Sequence, residues 1–198
     1  VECLRYHAAH LYGCCAMFVQ TLRVTLDILL LRRGPQDLPA DWNLLSLVAG
    51  AYLTVTFAQV SVAASVGPAL AQALLATGLL ALYVHGVLKF RDLSPRFLQT
   101  LIAFFATGTA LTILMLGPTS ALAPMLTALA EGASPEDVPQ PSALVLLVYM
   151  IVGIWGLIAF GHIYRHALDL SLGFGVLVAL GFEMLLFMAF ALIGPALR

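Results

Sequence analysis

Charged residues are scarce in this 198-residue chain. They make up 10% of it, against 62% hydrophobic residues, whereas a typical soluble domain is about a quarter charged and about half apolar. A globule of this size exposes too much of its surface to hide so large an apolar fraction. A soluble fold is therefore excluded, and lipid must be the solvent for much of the chain.

Other features are missing as well. The formal net charge is only −1, so there is no basic surface to bind nucleic acid. The three cysteines all lie within the first 15 residues, which excludes a disulfide framework spread along the chain. No phosphate-binding loop, GxSxG, HExxH or paired-aspartate motif is present, and we expect a protein that is not an enzyme. Residue 1 is Val rather than Met, so we expect a processed or truncated N terminus.

Five apolar runs are long enough to cross a hydrocarbon core of ~30 Å, which needs about 20 residues. They predict an all-α integral membrane helical bundle that forms a single membrane domain over 1–198. The third run is expected to stop at Gly117-Pro118, followed by a short interfacial stretch and an acidic, proline-rich loop over 131–141. The predicted spans are 44–64, 69–90, 97–116, 143–164 and 172–193.

The positions of arginine and lysine predict the orientation of these spans, because basic residues favour the cytoplasmic side. With five spans, nearly all of them fall on one side of the membrane, whereas the acidic loop falls on the other. We therefore expect a bacterial inner-membrane protein with its N terminus in the cytoplasm and its C terminus outside. The basic residues on the first side are Arg5, Arg23, Arg32, Arg33, Lys89, Arg91, Arg96 and Arg165.

The segment before the first span, 16–33, is predicted to be an amphipathic interfacial helix. Gln20, Arg23 and Asp27 form a polar stripe at helical spacing, Arg23 and Asp27 are an i,i+4 pair, and Arg32 and Arg33 would lie near anionic lipid. The opposite side carries Phe18, Leu22, Leu26, Leu29 and Leu30. The alternative is a sixth span, in which each buried charge would cost ~2.5–3.5 kcal/mol. That cost favours the interfacial interpretation.

This layout resembles the Yip1-type membrane proteins. The residues that carry the resemblance are the Arg-Gly-Pro turn within Arg32-Arg33-Gly34-Pro35-Gln36-Asp37-Leu38-Pro39 and the stretch from Trp155 to His166 at the end of the fourth span. Eukaryotic members are implicated in vesicle traffic with small GTPases, and most bacterial members have no assigned activity. The Asp-Leu-Tyr-Gly-Pro stretch typical of eukaryotic members is absent, so the resemblance is to the bacterial type.

Glu183 is the ionisable residue placed deepest in the predicted bilayer. It lies about 12 residues into the fifth span, where an ionised carboxylate needs a partner. One interpretation is a proton or cation relay in a small transporter. The other, which we favour, is a neutral carboxyl that hydrogen-bonds across helices, because buried polar groups usually find such a partner. Thr107, Thr109 and Thr112 lie at a compatible depth.

Histidines form a second candidate group. His162 and His166 are i,i+4 on one helix, and His85 lies at a similar depth on another. His85 and His162 could ligate a metal or a haem b iron between facing helices, as in a redox subunit. No second pair or neighbouring carboxylate completes such a site, so we favour polar interfacial anchors and expect no cofactor.

His7, His10, Cys14 and Cys15 form a further possible group of ligands, but their spacing matches no closed zinc pattern. The two cysteines would suit acylation in a eukaryote and are otherwise small apolar residues. The sequence therefore favours a non-enzymatic accessory or scaffold subunit, with the lipid bilayer and other membrane subunits as partners. The alternative is a small transporter or a haem- or metal-binding redox subunit.

Overall fold

The computed structural model describes residues 17–134 and 136–193. Over these ranges the chain is helical, as the composition predicts. The first helix, α1, covers 17–29 within the described residues, and short 3-10 turns occupy Pro35–Asp37 and Ser94–Arg96. The long helices are α2 (Trp42–Val60), α3 (Val66–Phe90), α4 (Phe97–Ala130), α5 (Ala143–Leu168) and α6 (Leu172–Ile193).

Five helices of the described chain are long and apolar enough to cross a membrane, which confirms the predicted helical bundle. Their starts follow from local caps. The Asp41 carboxylate accepts a hydrogen bond from the Leu44 backbone at 2.8 Å, and Ser142 accepts one from the Val145 backbone at 3.3 Å. Both side chains satisfy backbone N–H groups that a first helical turn leaves without partners.

The helix end predicted at Gly117-Pro118 is wrong. The chain does not stop at Gly117-Pro118 but continues as α4 to Ala130, with Pro118 and Pro124 inside the helix. Proline removes one helical hydrogen bond and normally breaks a helix in water. In a membrane the alternative is exposed backbone in lipid, which costs more, so helices there tolerate proline. The stretch 119–130 is therefore the continuation of α4 and not a separate helix.

The bundle has two ends of different character. At one end, here called the basic end, Arg33, Lys89, Arg91, Arg96 and Arg165 lie on or beside the first loop, the α3–α4 link and the end of α5. Contacts join these elements, since Arg96 pairs with Asp169 and Gln99 reaches the first loop at Leu38. The opposite end carries the 61–65 turn and the acidic loop.

Side chains are tightly packed in the half of the bundle near the basic end. Phe104 stacks on Tyr164 with ring centroids 4.6 Å apart, and Tyr52 stacks on Phe105 at 5.3 Å. Around them, buried aliphatic side chains from α2, α3, α4 and α5 complete the core. The helices are thus held together mainly from this half, by close packing of apolar side chains.

Helix α1 lies against this packed half. Its buried face consists of Thr21, Val24, Thr25 and Ile28, and the two threonine hydroxyls donate to carbonyls one turn earlier at 2.8 Å. The predicted apolar stripe Phe18, Leu22, Leu26 and Leu30 is exposed. The helix ends at residue 29, before the predicted limit of 33, and Leu31 has a positive φ of 59° that turns the chain.

Candidate functional site

A cavity of about 610 Å³ lies between the helices on the side away from the tightly packed half. All five long helices contribute to its lining. The residues that border it on α4, α5 and α6 lie toward the acidic-loop end, and Gly108, Gly153 and Gly156 leave room among them. The cavity is open rather than sealed. Residues of all five spans thus meet around this open volume.

Polar side chains line this cavity within otherwise apolar helices. Three of these side chains lie on one face of α2, because they are spaced at i, i+4 and i+7: Tyr52, Thr56 and Gln59. Thr112 of α4 and Glu183 of α6 also line the cavity. Membrane helices rarely expose several such groups to a shared space without a structural or functional reason.

Glu183 borders the cavity and is exposed rather than buried in it. It is the only acidic residue within the five long helices and lies roughly 17 Å along α6 from Leu172, at 1.5 Å per residue. Among the described residues its carboxyl makes no hydrogen bond and no ion pair. Of the threonines considered for it, Thr109 instead donates to the Phe105 carbonyl at 2.7 Å.

Two other lining residues show how the polar groups are held. The Gln59 amide donates to the Thr119 hydroxyl at 3.2 Å and joins α2 to α4. The Thr56 hydroxyl is buried and has no partner among the described residues. Such a buried polar atom is uncommon, and it belongs to the face of α2 that lines the cavity.

From the sequence, only Glu183 and Thr112 of this site were considered together, and the polar face of α2 was missed. The signal that could have found it is the 52, 56, 59 stripe on α2, because three polar residues at helical spacing in an apolar span predict one polar face. The spacing could not predict that α4, α5 and α6 leave an open volume in front of that face.

The two candidate haem or metal ligands have separate partners. His85 is exposed and its ring packs edge-on against Phe97 with centroids 5.4 Å apart. His162 is buried, and its Nε2 lies 2.9 Å from the Arg33 carbonyl oxygen, a contact in which Nε2 carries the hydrogen. Ligation through Nε2 would require His162 to give up that contact. In the part of the chain that the structure describes, no three His, Cys, Asp or Glu residues form a metal-binding group.

The charged residues of the predicted interfacial helix also have defined positions. Asp27 pairs with Arg33 at 3.3 Å, and not with Arg23 as the i,i+4 spacing predicts, because the chain turns after residue 29 and brings Arg33 back to it. Arg23 and Arg32 are exposed. His7, His10, Cys14 and Cys15 lie outside the described residues.

The end of α1 is fastened to α5. The Trp155 indole donates to the Leu29 carbonyl at 3.1 Å, and His162 contacts Arg33 four residues further on. These bonds satisfy carbonyls that the end of α1 and the following turn leave without helical partners. Trp155 and His162 of α5 thus hold the end of α1 and the turn that follows it.

Comparisons with known proteins add no relative. No protein-family model, no curated protein and no solved structure matches this chain.

Proposed function

We propose that this chain is a non-enzymatic accessory or scaffold subunit of a larger membrane assembly, of the kind that the Yip1-type resemblance implies. The basic end would face the cytoplasm of a bacterium, in accordance with the preference of arginine and lysine for that side. The absence of catalytic motifs from the sequence supports a role through contacts rather than chemistry.

One observation carries the proposal: a segment of α5 toward the acidic-loop end, residues 146–151, is exposed on all sides within the chain. Residues 146–151 are six consecutive exposed residues, and six residues cover more than one full turn of 3.6. Only 6% of the most apolar window of α5 is buried, against 50% for the span that contains α4. Helices in membranes associate by close packing of such apolar faces.

Photocrosslinking in native membranes tests this role. A photoreactive amino acid at Met150, in the unpacked segment, is compared with one at Leu74, an exposed residue of α3. We expect a discrete protein adduct from position 150 only, together with a native complex larger than the 21.1 kDa chain. A monodisperse monomer whose adducts at both positions are lipid alone would overturn the proposal.

A second candidate function is supported by the cavity. We propose as the alternative that Glu183 binds a proton or a small cation inside the bilayer, as a carrier requires. The specific support is the conjunction of an open volume of about 610 Å³, one acidic side chain and the polar face of α2. The carboxyl would be the cation ligand, and Tyr52, Thr56 and Gln59 would replace part of the hydration shell.

Flux measurements distinguish the two functions. Proteoliposomes that contain a trapped pH-sensitive dye report proton flux, and the same vesicles with an external sodium or potassium gradient report cation flux. The carrier function predicts that Glu183→Gln abolishes the flux and that Glu136→Gln, in the acidic loop, leaves it unchanged. Flux unaffected by Glu183→Gln eliminates the carrier and leaves the scaffold role.

A further inference from the structure

A second groove lies on the outer surface of the bundle between α3 and α6. It extends from Leu79 to Arg91 on α3, is bordered by Val178 and Leu185 on α6, and encloses about 590 Å³. Apart from Tyr83 and Arg91, its described lining is apolar or glycine. Because this surface faces lipid in a membrane-spanning bundle, an apolar groove here is open to the hydrocarbon chains of the bilayer.

The length of the groove fits one leaflet. Leu79 and Phe90 are 11 residues apart, which corresponds to ~16 Å along a helix, and half of the hydrocarbon core is ~15 Å. The groove begins near the middle of α3 and ends at the basic end, where Arg91 follows the last residue of the helix. An acyl chain that enters from the leaflet at the basic end would therefore place its headgroup beside Arg91.

The floor of the groove presents no free hydroxyl to such a chain. Tyr83 crosses from α3 to α6 and donates to the Val178 carbonyl at 2.9 Å, and its ring packs on Phe182 with centroids 5.6 Å apart. This hydrogen bond satisfies the Tyr83 hydroxyl and holds α3 and α6 at a distance that leaves the groove open. Gly86 adds room, since a Cβ there would meet nothing within 4 Å.

Charge complementarity identifies the headgroup. Arg91 is exposed, it is the one charged residue in the described lining, and it makes no ion pair within the described chain. A guanidinium is a preferred ligand for phosphate, and basic pockets between membrane helices bind anionic headgroups. We propose that this groove binds an anionic phospholipid of the leaflet at the basic end, with one acyl chain between α3 and α6 and its phosphate at Arg91.

Native mass spectrometry of the detergent-solubilised full chain tests this site with phosphatidylglycerol and phosphatidylcholine of identical acyl chains. The wild type should retain phosphatidylglycerol in preference to phosphatidylcholine. Arg91→Gln should lower the affinity for phosphatidylglycerol by roughly tenfold, as expected for a lost charge-assisted hydrogen bond, whereas Arg91→Lys should keep most of it. The control Lys89→Gln removes a neighbouring exposed charge and should change the affinity by less than about twofold, because Lys89 does not line the groove.

The acyl-chain part is tested separately. Gly86→Leu fills the groove without meeting another atom at its Cβ, and Gly78→Leu is the matched control on the same helix, outside the groove. We expect Gly86→Leu alone to remove bound phospholipid, and glycerol phosphate without acyl chains should not compete. Equal affinities of Arg91→Gln and Lys89→Gln, or no preference for the anionic lipid in the wild type, would overturn the proposal. If Gly86→Leu does not fold, the comparison at positions 91 and 89 still decides it.

Discussion

Arg96 shows how a single side chain fastens the basic end of the bundle. One guanidinium nitrogen, Nη1, donates to the Asp169 carboxylate at 2.8 Å. It also lies 3.2 Å from the backbone carbonyl oxygen of Ala167 and 3.3 Å from that of His166. Those carbonyls belong to the last turn of α5, which leaves them without helical partners. Arg96, the residue just before α4, thus caps the end of α5.

The side chain of Arg96 and that of its partner Asp169 should contribute differently to stability. Arg96→Ala leaves the end carbonyls of α5 without their donor and should lower the free energy of unfolding by about 1–3 kcal/mol. Asp169→Gly loses only an exposed ion pair, worth about 0.2–1 kcal/mol, and relieves a positive φ of 53° that favours glycine. Asp169→Gly should therefore be nearly neutral. Thermal unfolding in detergent measures both variants, and a larger loss from Asp169→Gly than from Arg96→Ala would refute the capping role.

At the scale of elements, α5 and α6 approach each other closely at two glycines. A Cβ placed on Gly175 would clash with the Gly161 carbonyl oxygen, and one placed on Gly161 would lie 2.8 Å from the Val176 backbone. The sequence marks Gly175 and Ala179 as a small-xxx-small pair. The structure places this face of α6 directly on the backbone of α5, which is the use that membrane helices make of such pairs.

Adding one methyl group at this crossing should separate the two helices. Gly175→Ala meets backbone atoms that cannot give way, so we expect a loss of about 1–3 kcal/mol in the free energy of unfolding, the usual cost of overpacking. Gly173→Ala, two residues away on the same helix, meets nothing within 4 Å and should be neutral. Unfolding by denaturing detergent compares the two. Equal stability of the variants would contradict the close approach of α5 and α6.

Helices α1 and α4 each have a feature that the sequence does not predict. The apolar stripe of α1 was found from its spacing, but its buried face carries two threonines, Thr21 and Thr25, whose hydroxyls bond to their own helix. A polar residue that satisfies itself locally gives no signal of burial. Likewise, Gly117-Pro118 predicts the end of a helix in water, whereas a lipid environment keeps α4 continuous.

At the scale of the whole molecule, hydropathy was sufficient to predict five long helices and the fold class, because the bilayer requires about 20 apolar residues per span. The candidate site required the structure. Glu183 stands out in the sequence as a lone acid in an apolar helix, but Thr56 and Gly108 carry no such signal. Cavities arise from the distances between helices, and those depend on packing contacts far apart in the chain.

The cavity and the lipid groove lie in different parts of the bundle. Close packing near the basic end holds the five helices together, whereas the opposite half opens into the cavity beside Glu183. The lipid groove lies on the outside and reaches Arg91 at the basic end. The groove and the cavity overlap in depth on α6, where Leu185 borders the groove and Glu183 borders the cavity.

Cysteine accessibility decides whether five helices cross the bilayer and place the basic residues on one side. In a chain whose native cysteines are replaced by alanine, single cysteines are introduced at Asp92, Asp169 and Asp137 and labelled with a membrane-impermeant maleimide. Position 137 should react in intact cells, and positions 92 and 169 should react only in inverted vesicles. Labelling of position 137 from the same side as 92 and 169 would refute the five-span topology.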